Sequence, residues 1–271
     1  MENTIESPLE IQSQEIHTQK GNLYAQRWHA PQDGNTAAST IILMHDSLGC
    51  IPIWREFPAR LALATGLPVI AYDRLGFGRS DPHPEKLAAD FINDEINSMF
   101  PKLLEAFEID RFVACGHSVG GAMAVIAAAS YPDRCDALIT MGAQVFVEEL
   151  TLSGIRKAKD DFAKPENLAR LDKYHGAKSR WVVDAWTDTW LSREFSTWHA
   201  REELARVSCP TLAIHGDSDP YGSTEHARVI TEGRGTAEIL SGIGHVPYRE
   251  SEEETLQLIQ SFIARAVPDT E

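Results

Sequence analysis

The most constraining feature of this chain is an alternation that recurs along most of its length. Short, mainly apolar runs at 40–44, 67–72, 111–115, 135–141, 211–215 and 236–240 read as strands. Between them, 53–65, 91–109 and 119–130 have helical character, with Pro101 expected to kink or split the second. Strands that are apolar on both faces and linked by helices predict a mostly parallel sheet with helices on either side. Two part-alternating segments at 9–17 and 22–29 predict an antiparallel hairpin with its turn near Lys20 and Gly21. Ser251 to Glu254 fits a capping box that opens a last helix reaching about residue 266. Between Gly142 and Ser208 the alternation stops, and four of the six tryptophans fall there: Trp181, Trp186, Trp190 and Trp198. The expected organisation is a core formed by 1–142 and 209–271, with 143–208 as a helical lid over one edge of the sheet.

Composition removes several function classes. Lys and Arg total 25 against 40 Asp and Glu, a net charge of −15, which repels phosphate backbones and anionic lipid surfaces. No apolar run approaches the roughly 20 residues that cross a bilayer. The polar start of the chain, with Glu2, Glu6, Glu10 and Glu15, lacks the basic and apolar regions of a secretory signal. Cys50, Cys115, Cys135 and Cys209 are widely spaced without a CxxC pair and read as reduced thiols, so a cytoplasmic protein without a zinc site is expected. Gly76-Phe77-Gly78 falls short of a dinucleotide-binding glycine motif. No cofactor, metal, nucleic acid or membrane is expected.

Three loops carry candidate chemistry. Gly116-His117-Ser118-Val119-Gly120 sits between an apolar strand and an Ala-rich helix, the setting of a nucleophilic serine on a tight turn. A serine hydroxyl needs a base, and the base needs an acid to orient it. His245 lies in Gly242-Ile243-Gly244-His245-Val246-Pro247 after the last strand, and Asp217 and Asp219 follow the strand before it. All three sit where the sheet's strands end, the edge at which open α/β sheets bind ligands. One oxyanion donor is expected at the Val119 N–H, where the helix dipole assists. The second is expected in the loop His45-Asp46-Ser47-Leu48-Gly49 after the strand 40–44.

In these segments and their order, Ser then acid then His, the chain resembles the α/β-hydrolase superfamily over nearly its whole length. The resemblance implies the α/β-hydrolase fold, a mostly parallel central sheet flanked by helices with a helical lid inserted after a late sheet strand. It favours Asp219 over Asp217 as the acid and places the second oxyanion donor at the Ser47 N–H. Tyr72-Asp73-Arg74-Leu75-Gly76-Phe77-Gly78-Arg79-Ser80 resembles the family's structural Asp-x-x-Gly-x-Gly-x-Ser turn. Asp46 stands where the family usually has glycine, and its side chain is expected to point away and tie down its own loop.

The implied chemistry is acyl transfer through Ser118, with a small-molecule carboxylic ester as substrate. Ser118 argues against the branches with an aspartate nucleophile, the haloalkane dehalogenases and epoxide hydrolases. The loop 45–49 differs from the His-Gly-Gly-Pro-Gly of proline iminopeptidases and from the His-Gly-x-Gly-Pro-Gly of carbon–carbon bond hydrolases. His45, Leu48, Gly49 and Trp54 echo the enol-lactonases, so a lactone or a ring-cleavage product of aromatic catabolism is the alternative substrate. A receptor that has lost catalysis is the reading from another class. Trp181, Trp186 and Trp190 either pack the insertion onto the core or line an apolar substrate pocket, and the pocket is the role assigned to them here.

Overall fold

The computed structural model describes residues 9–29 and 39–267. The ends of the expected core segments, including Glu2 and Glu6, lie outside the described residues. Eight strands form one sheet: β1 (Glu10–Thr18), β2 (Gly21–His29), β3 (Thr40–Met44), β4 (Val69–Asp73), β5 (Phe112–His117), β6 (Cys135–Met141), β7 (Thr211–Gly216) and β8 (Gly235–Leu240). Their order is β1-β2-β4-β3-β5-β6-β7-β8. β2 runs antiparallel to both its neighbours, and every pairing from β4 across to β8 is parallel. The mostly parallel sheet read from the apolar runs is therefore the one observed, and the hairpin turns one residue early, at Gln19 and Lys20.

Helices cover both faces. α1 (Phe57–Thr65) and α11 (Glu252–Ala266) pack on one, where Leu61, Ile259 and Phe262 meet Ile41, Leu43, Val113 and Cys115. On the other lie α2 (Phe91–Asp94), α3 (Phe100–Ala106), α4 (Val119–Ser130) and α9 (Glu225–Thr231), against Ile42, Met44, Phe112 and Ala114. Alternate residues of β3 and β5 thus enter opposite cores, as the period of two requires.

Two expected helices are broken. The stretch 53–65 starts as a 3-10 turn over Ile51–Trp54, breaks at Arg55 with φ of 55°, and resumes as α1 with Pro58 in its first turn. The stretch 91–109 passes through a π-helical segment, Glu95–Met99, before α3, whose first turn holds Pro101. Each proline lacks an N–H and is tolerated only where a helix begins. At α11 the Ser251 hydroxyl donates to the Glu254 carboxylate at 2.8 Å instead of accepting a main-chain N–H.

Between β6 and β7 the chain leaves the sheet for α5 (Glu149–Phe162), α6 (Pro165–His175), α7 (Ser179–Trp190) and the short α8 (Arg201–Leu204). An antiparallel bridge between Phe146 and His199 closes the base of this excursion. α10 (Pro247–Glu250) follows the loop after β8.

The turn from β5 into α4 is the tightest point of the fold. α4 is built of small residues, and all but its last are buried. A Cβ on Gly116 would lie 2.0 Å from the Gly120 carbonyl oxygen, and one on Gly120 would lie 2.0 Å from that of Met44. Both oxygens belong to the backbone, so neither gives way cheaply. Gly120→Ala is expected to destabilise the fold by at least about 1 kcal/mol through overpacking, and a thermal unfolding midpoint equal to that of the wild type contradicts this packing.

Candidate active site

Ser118 occupies that turn with φ of 56° and ψ of −125°, a conformation that L residues rarely adopt. Its N–H is held by the Met141 carbonyl at 3.0 Å, and its hydroxyl donates to Gln144 Oε1 at 3.1 Å. Gln144, 4% exposed, is oriented in turn by donating from Nε2 to the Tyr221 carbonyl at 3.3 Å. Val119 is the first residue of α4, so its N–H is one of the helix's unpaired donors.

The structure brings His245 and Asp219 together. His245 Nδ1 lies 2.8 Å from Asp219 Oδ2. A carboxylate only accepts, so the ring proton sits on Nδ1 and Nε2 carries the free lone pair of the neutral base. Asp219 Oδ1 accepts the Tyr221 N–H at 2.7 Å, and His215 Nε2, which donates to the Gly222 carbonyl, passes 3.3 Å from Oδ2. Burial alone would raise the Asp219 carboxyl. The hydrogen bond and charge of His245 and the Tyr221 N–H outweigh it and hold the group below the usual carboxylate range. Asp217 instead ties the loops together, accepting the Gly242 N–H at 2.7 Å. The His245 loop is pinned by Glu250, which accepts from the Gly244 and Val246 N–H groups.

Asp46 corrects an expectation. Oδ1 does tie down its loop by accepting the Leu48 N–H at 2.7 Å. The carboxylate does not point away, however: it lines the same cavity as Ser118, with Oδ2 3.2 Å from His117 Nδ1. His117 spans the site, since its Nε2 lies 2.8 Å from the His245 carbonyl. Burial would raise the Asp46 carboxyl, but the hydrogen bond and charge of His117 override it and keep the group ionised.

The cavity has a volume of about 160 Å³. Ser47, Ser118, Gln144 and His245 line it from the sheet side, Ile155 of α5 and Trp186 and Trp190 of α7 from the other. Trp181 is elsewhere, packed on Gly76 and Phe77 and donating from Nε1 to the Glu85 carbonyl at 3.0 Å. Helix geometry explains the split: Trp190 is about 40° round the helix from Trp186, while Trp181 is about 140° away. Trp54 lies beneath the site, buried against Phe57 and Tyr248. Gln144 and His117 escaped the sequence reading; their signals were a lone amide in the small-residue run after β6 and the variable position of the serine motif.

A sequence model of the alpha/beta hydrolase fold matches residues 40–177. The chain belongs to that family. Among its relatives, human serine hydrolase BPHL is 31% identical over 173 residues, a match covering 60% of this chain and 57% of BPHL. The 2-hydroxy-6-oxononadienedioate/2-hydroxy-6-oxononatrienedioate hydrolase of Paraburkholderia xenovorans is 27% identical, with 86% of this chain and 89% of that one covered. Lipase 1 of Psychrobacter immobilis is 26% identical, with 94% and 84% covered. Among solved structures, a carboxylesterase study of Nitrososphaera gargenis supplies a match with a TM-score of 0.74 at 19% identity, covering 93% of this chain and 98% of that one. At that identity the likeness concerns the fold. No helix among the described residues is long and apolar enough to cross a membrane.

Several histidines around this family member's site are buried and neutral. Burial lowers His45, with the Arg74 charge adding to the effect, and burial likewise lowers His175, His215 and His226. In the unfolded chain they take up protons near about pH 6.5. Below that pH the unfolded state binds more protons than the native one, so stability falls as pH drops, by at most about 1.4 kcal/mol per pH unit for each group. The unfolding midpoint is therefore expected to be lower at pH 5 than at pH 7, and a midpoint flat across that range contradicts the burial of these groups in neutral form.

Proposed function

We propose that this protein is a serine hydrolase of small, neutral carboxylic esters, acting through an acyl-enzyme on Ser118. The observation that carries the reading is the 2.8 Å contact between His245 and Asp219 on the rim of the cavity into which Ser118 is forced by its strained turn. In the proposed sequence the Ser118 hydroxyl leaves Gln144 and gives its proton to His245 Nε2 as Oγ attacks the substrate carbonyl. The Ser47 and Val119 N–H groups receive the oxyanion. Asp219 stabilises the imidazolium, His245 then protonates the departing alcohol, and water repeats the steps to free the acid and restore the serine. The segment 143–208 is read as the lid that closes this cavity.

The lining supports a neutral acyl group. A space of about 160 Å³ is close to the ~150 Å³ cavity that holds benzene in an engineered protein core. Among the described lining residues there is no Lys or Arg, whereas the Asp46 carboxylate is present. The Paraburkholderia relative is named for a dicarboxylate. The lining offers such a substrate no Arg or Lys to pair with, which disfavours a ring-cleavage substrate here. A neutral lactone meets the same lining as an ester and remains the second reading, because Leu48 and Ile155 offer it an apolar wall.

A fluorophosphonate probe is expected to label the wild type at Ser118, and p-nitrophenyl esters are expected to be cleaved best at short acyl lengths. Ser118→Ala should lower kcat by about 10³- to 10⁶-fold; turnover near that of the wild type would falsify the nucleophile assignment. Because Asp219 is held below the usual carboxylate range, its protonation should add nothing to the acid limb of log(kcat/KM), which should fall with a slope of one. A slope of two would mean that a second group in the free enzyme must also be deprotonated.

A further inference from the structure

The Asp46–Ser47 peptide is gripped from behind. Its carbonyl oxygen accepts from His45 Nδ1 at 2.7 Å and from Arg74 Nη2 at 2.9 Å. The histidine tautomer is not ambiguous, because the Arg74 main-chain N–H donates to His45 Nε2 at 3.1 Å. The ring proton therefore lies on Nδ1 and points at the Asp46 carbonyl. Arg74 is 3% exposed, and its guanidinium lies over the Phe77 ring at 4.2 Å. Water does little to screen a cation so enclosed. The opposite end of the same peptide is the Ser47 N–H, on the cavity wall and without a protein acceptor among the described residues.

Two donors on one carbonyl, one of them cationic, polarise the peptide and make its N–H a stronger donor. They also fix the plane of the peptide, and with it the direction in which the N–H points. The neighbouring Asp46 carboxylate would otherwise oppose an oxyanion in this cavity. His117 and the Leu48 N–H engage that carboxylate from the front, and Arg74 places positive charge behind the loop. We infer that Arg74 is a positioning residue for hydrolysis, holding and polarising the Asp46–Ser47 peptide so that the Ser47 N–H meets the developing oxyanion. The inference rests on the serine-hydrolase reading above and assigns Arg74 a role beyond packing the turn after β4.

The test compares Arg74→Gln and Arg74→Lys with the wild type on a p-nitrophenyl ester, with binding of an alkylboronic acid, which mimics the tetrahedral intermediate, measured alongside. Removing a direct oxyanion donor costs about 10²- to 10³-fold in kcat, so losing the group behind the donor is expected to cost about 10- to 100-fold. For Arg74→Gln this loss should appear in kcat with KM changed little, and boronate affinity should weaken by a similar factor. Arg74→Lys, which keeps the charge, should lose less. Unchanged kcat, or a loss confined to KM with boronate affinity intact, overturns the inference. If the glutamine variant does not fold, the lysine variant decides: a parallel loss of kcat and boronate affinity supports the role, and wild-type values in both overturn it. A wild type that hydrolyses no ester overturns the hydrolase reading itself, which separates that failure from indifference of an active enzyme to Arg74.

Discussion

The whole site depends on how closely α4 approaches β3. Gly120 sits where any side chain would strike the Met44 carbonyl, and Gly116 sits where one would strike Gly120. That approach brings the first turn of α4 beside the loop that follows β3, so Ser118 and Ser47 face one cavity from the ends of two separate strands. It also forces Ser118 to a positive φ, which lifts its side chain out of the turn and makes it available to a ligand. The strain is tolerated because flanking elements determine the backbone from several directions, including the Met141 carbonyl on the Ser118 N–H.

Two buried aspartates show how environment separates scaffold from chemistry. Both oxygens of Asp73 are taken by main-chain donors, the Ile51 and Arg79 N–H groups at 2.6 and 2.7 Å. Burial nevertheless wins there, and its carboxyl is pushed up. Asp219 also accepts a main-chain N–H, but His245 adds a hydrogen bond and a charge, and its carboxyl is pulled down. The residue type and the burial are similar; the difference lies in the titratable partner. Asp73 therefore suits a turn that must hold its shape, and Asp219 suits a role in which an adjoining ring gains a proton.

Much of the fold was legible because its signals are local. A strand buried on both faces must be apolar throughout, and an elbow this tight must have glycine at fixed offsets, so β3, β5 and the Ser118 turn could be read from a few residues each. Asp219 was harder: both it and Asp217 follow β7, and only likeness to a family pattern separated them. The contacts that decide the electrostatics were not legible. Asp46 and His117 stand 71 residues apart, and nothing in either segment says that their side chains meet. Gln144 and Arg74 act through single contacts with a hydroxyl and a carbonyl, which leave no periodic trace. Spacing placed Trp186 and Trp190 on one helix face but did not say which face turns to the cavity, and so Trp181 was grouped with them.

The excursion between β6 and β7 is joined to the loops that follow β3 and β4 by directed hydrogen bonds as well as by apolar contact. From the end of α6, His175 accepts the Gly78 N–H at 2.9 Å and donates to the Leu48 carbonyl at 3.0 Å. Just beyond it, Lys178 donates to the carbonyls of Phe77, Gly78 and Ser80. Leu48 is the residue after Ser47, and Phe77 is the ring under the Arg74 guanidinium. Withdrawing α6 would therefore break the hydrogen bonds that hold the Gly78 N–H and the Leu48 carbonyl, in the two segments that hold the Asp46–Ser47 peptide. The helices over the cavity and the peptide facing its interior are consequently one hydrogen-bonded unit, and the placement of the Ser47 N–H depends on both.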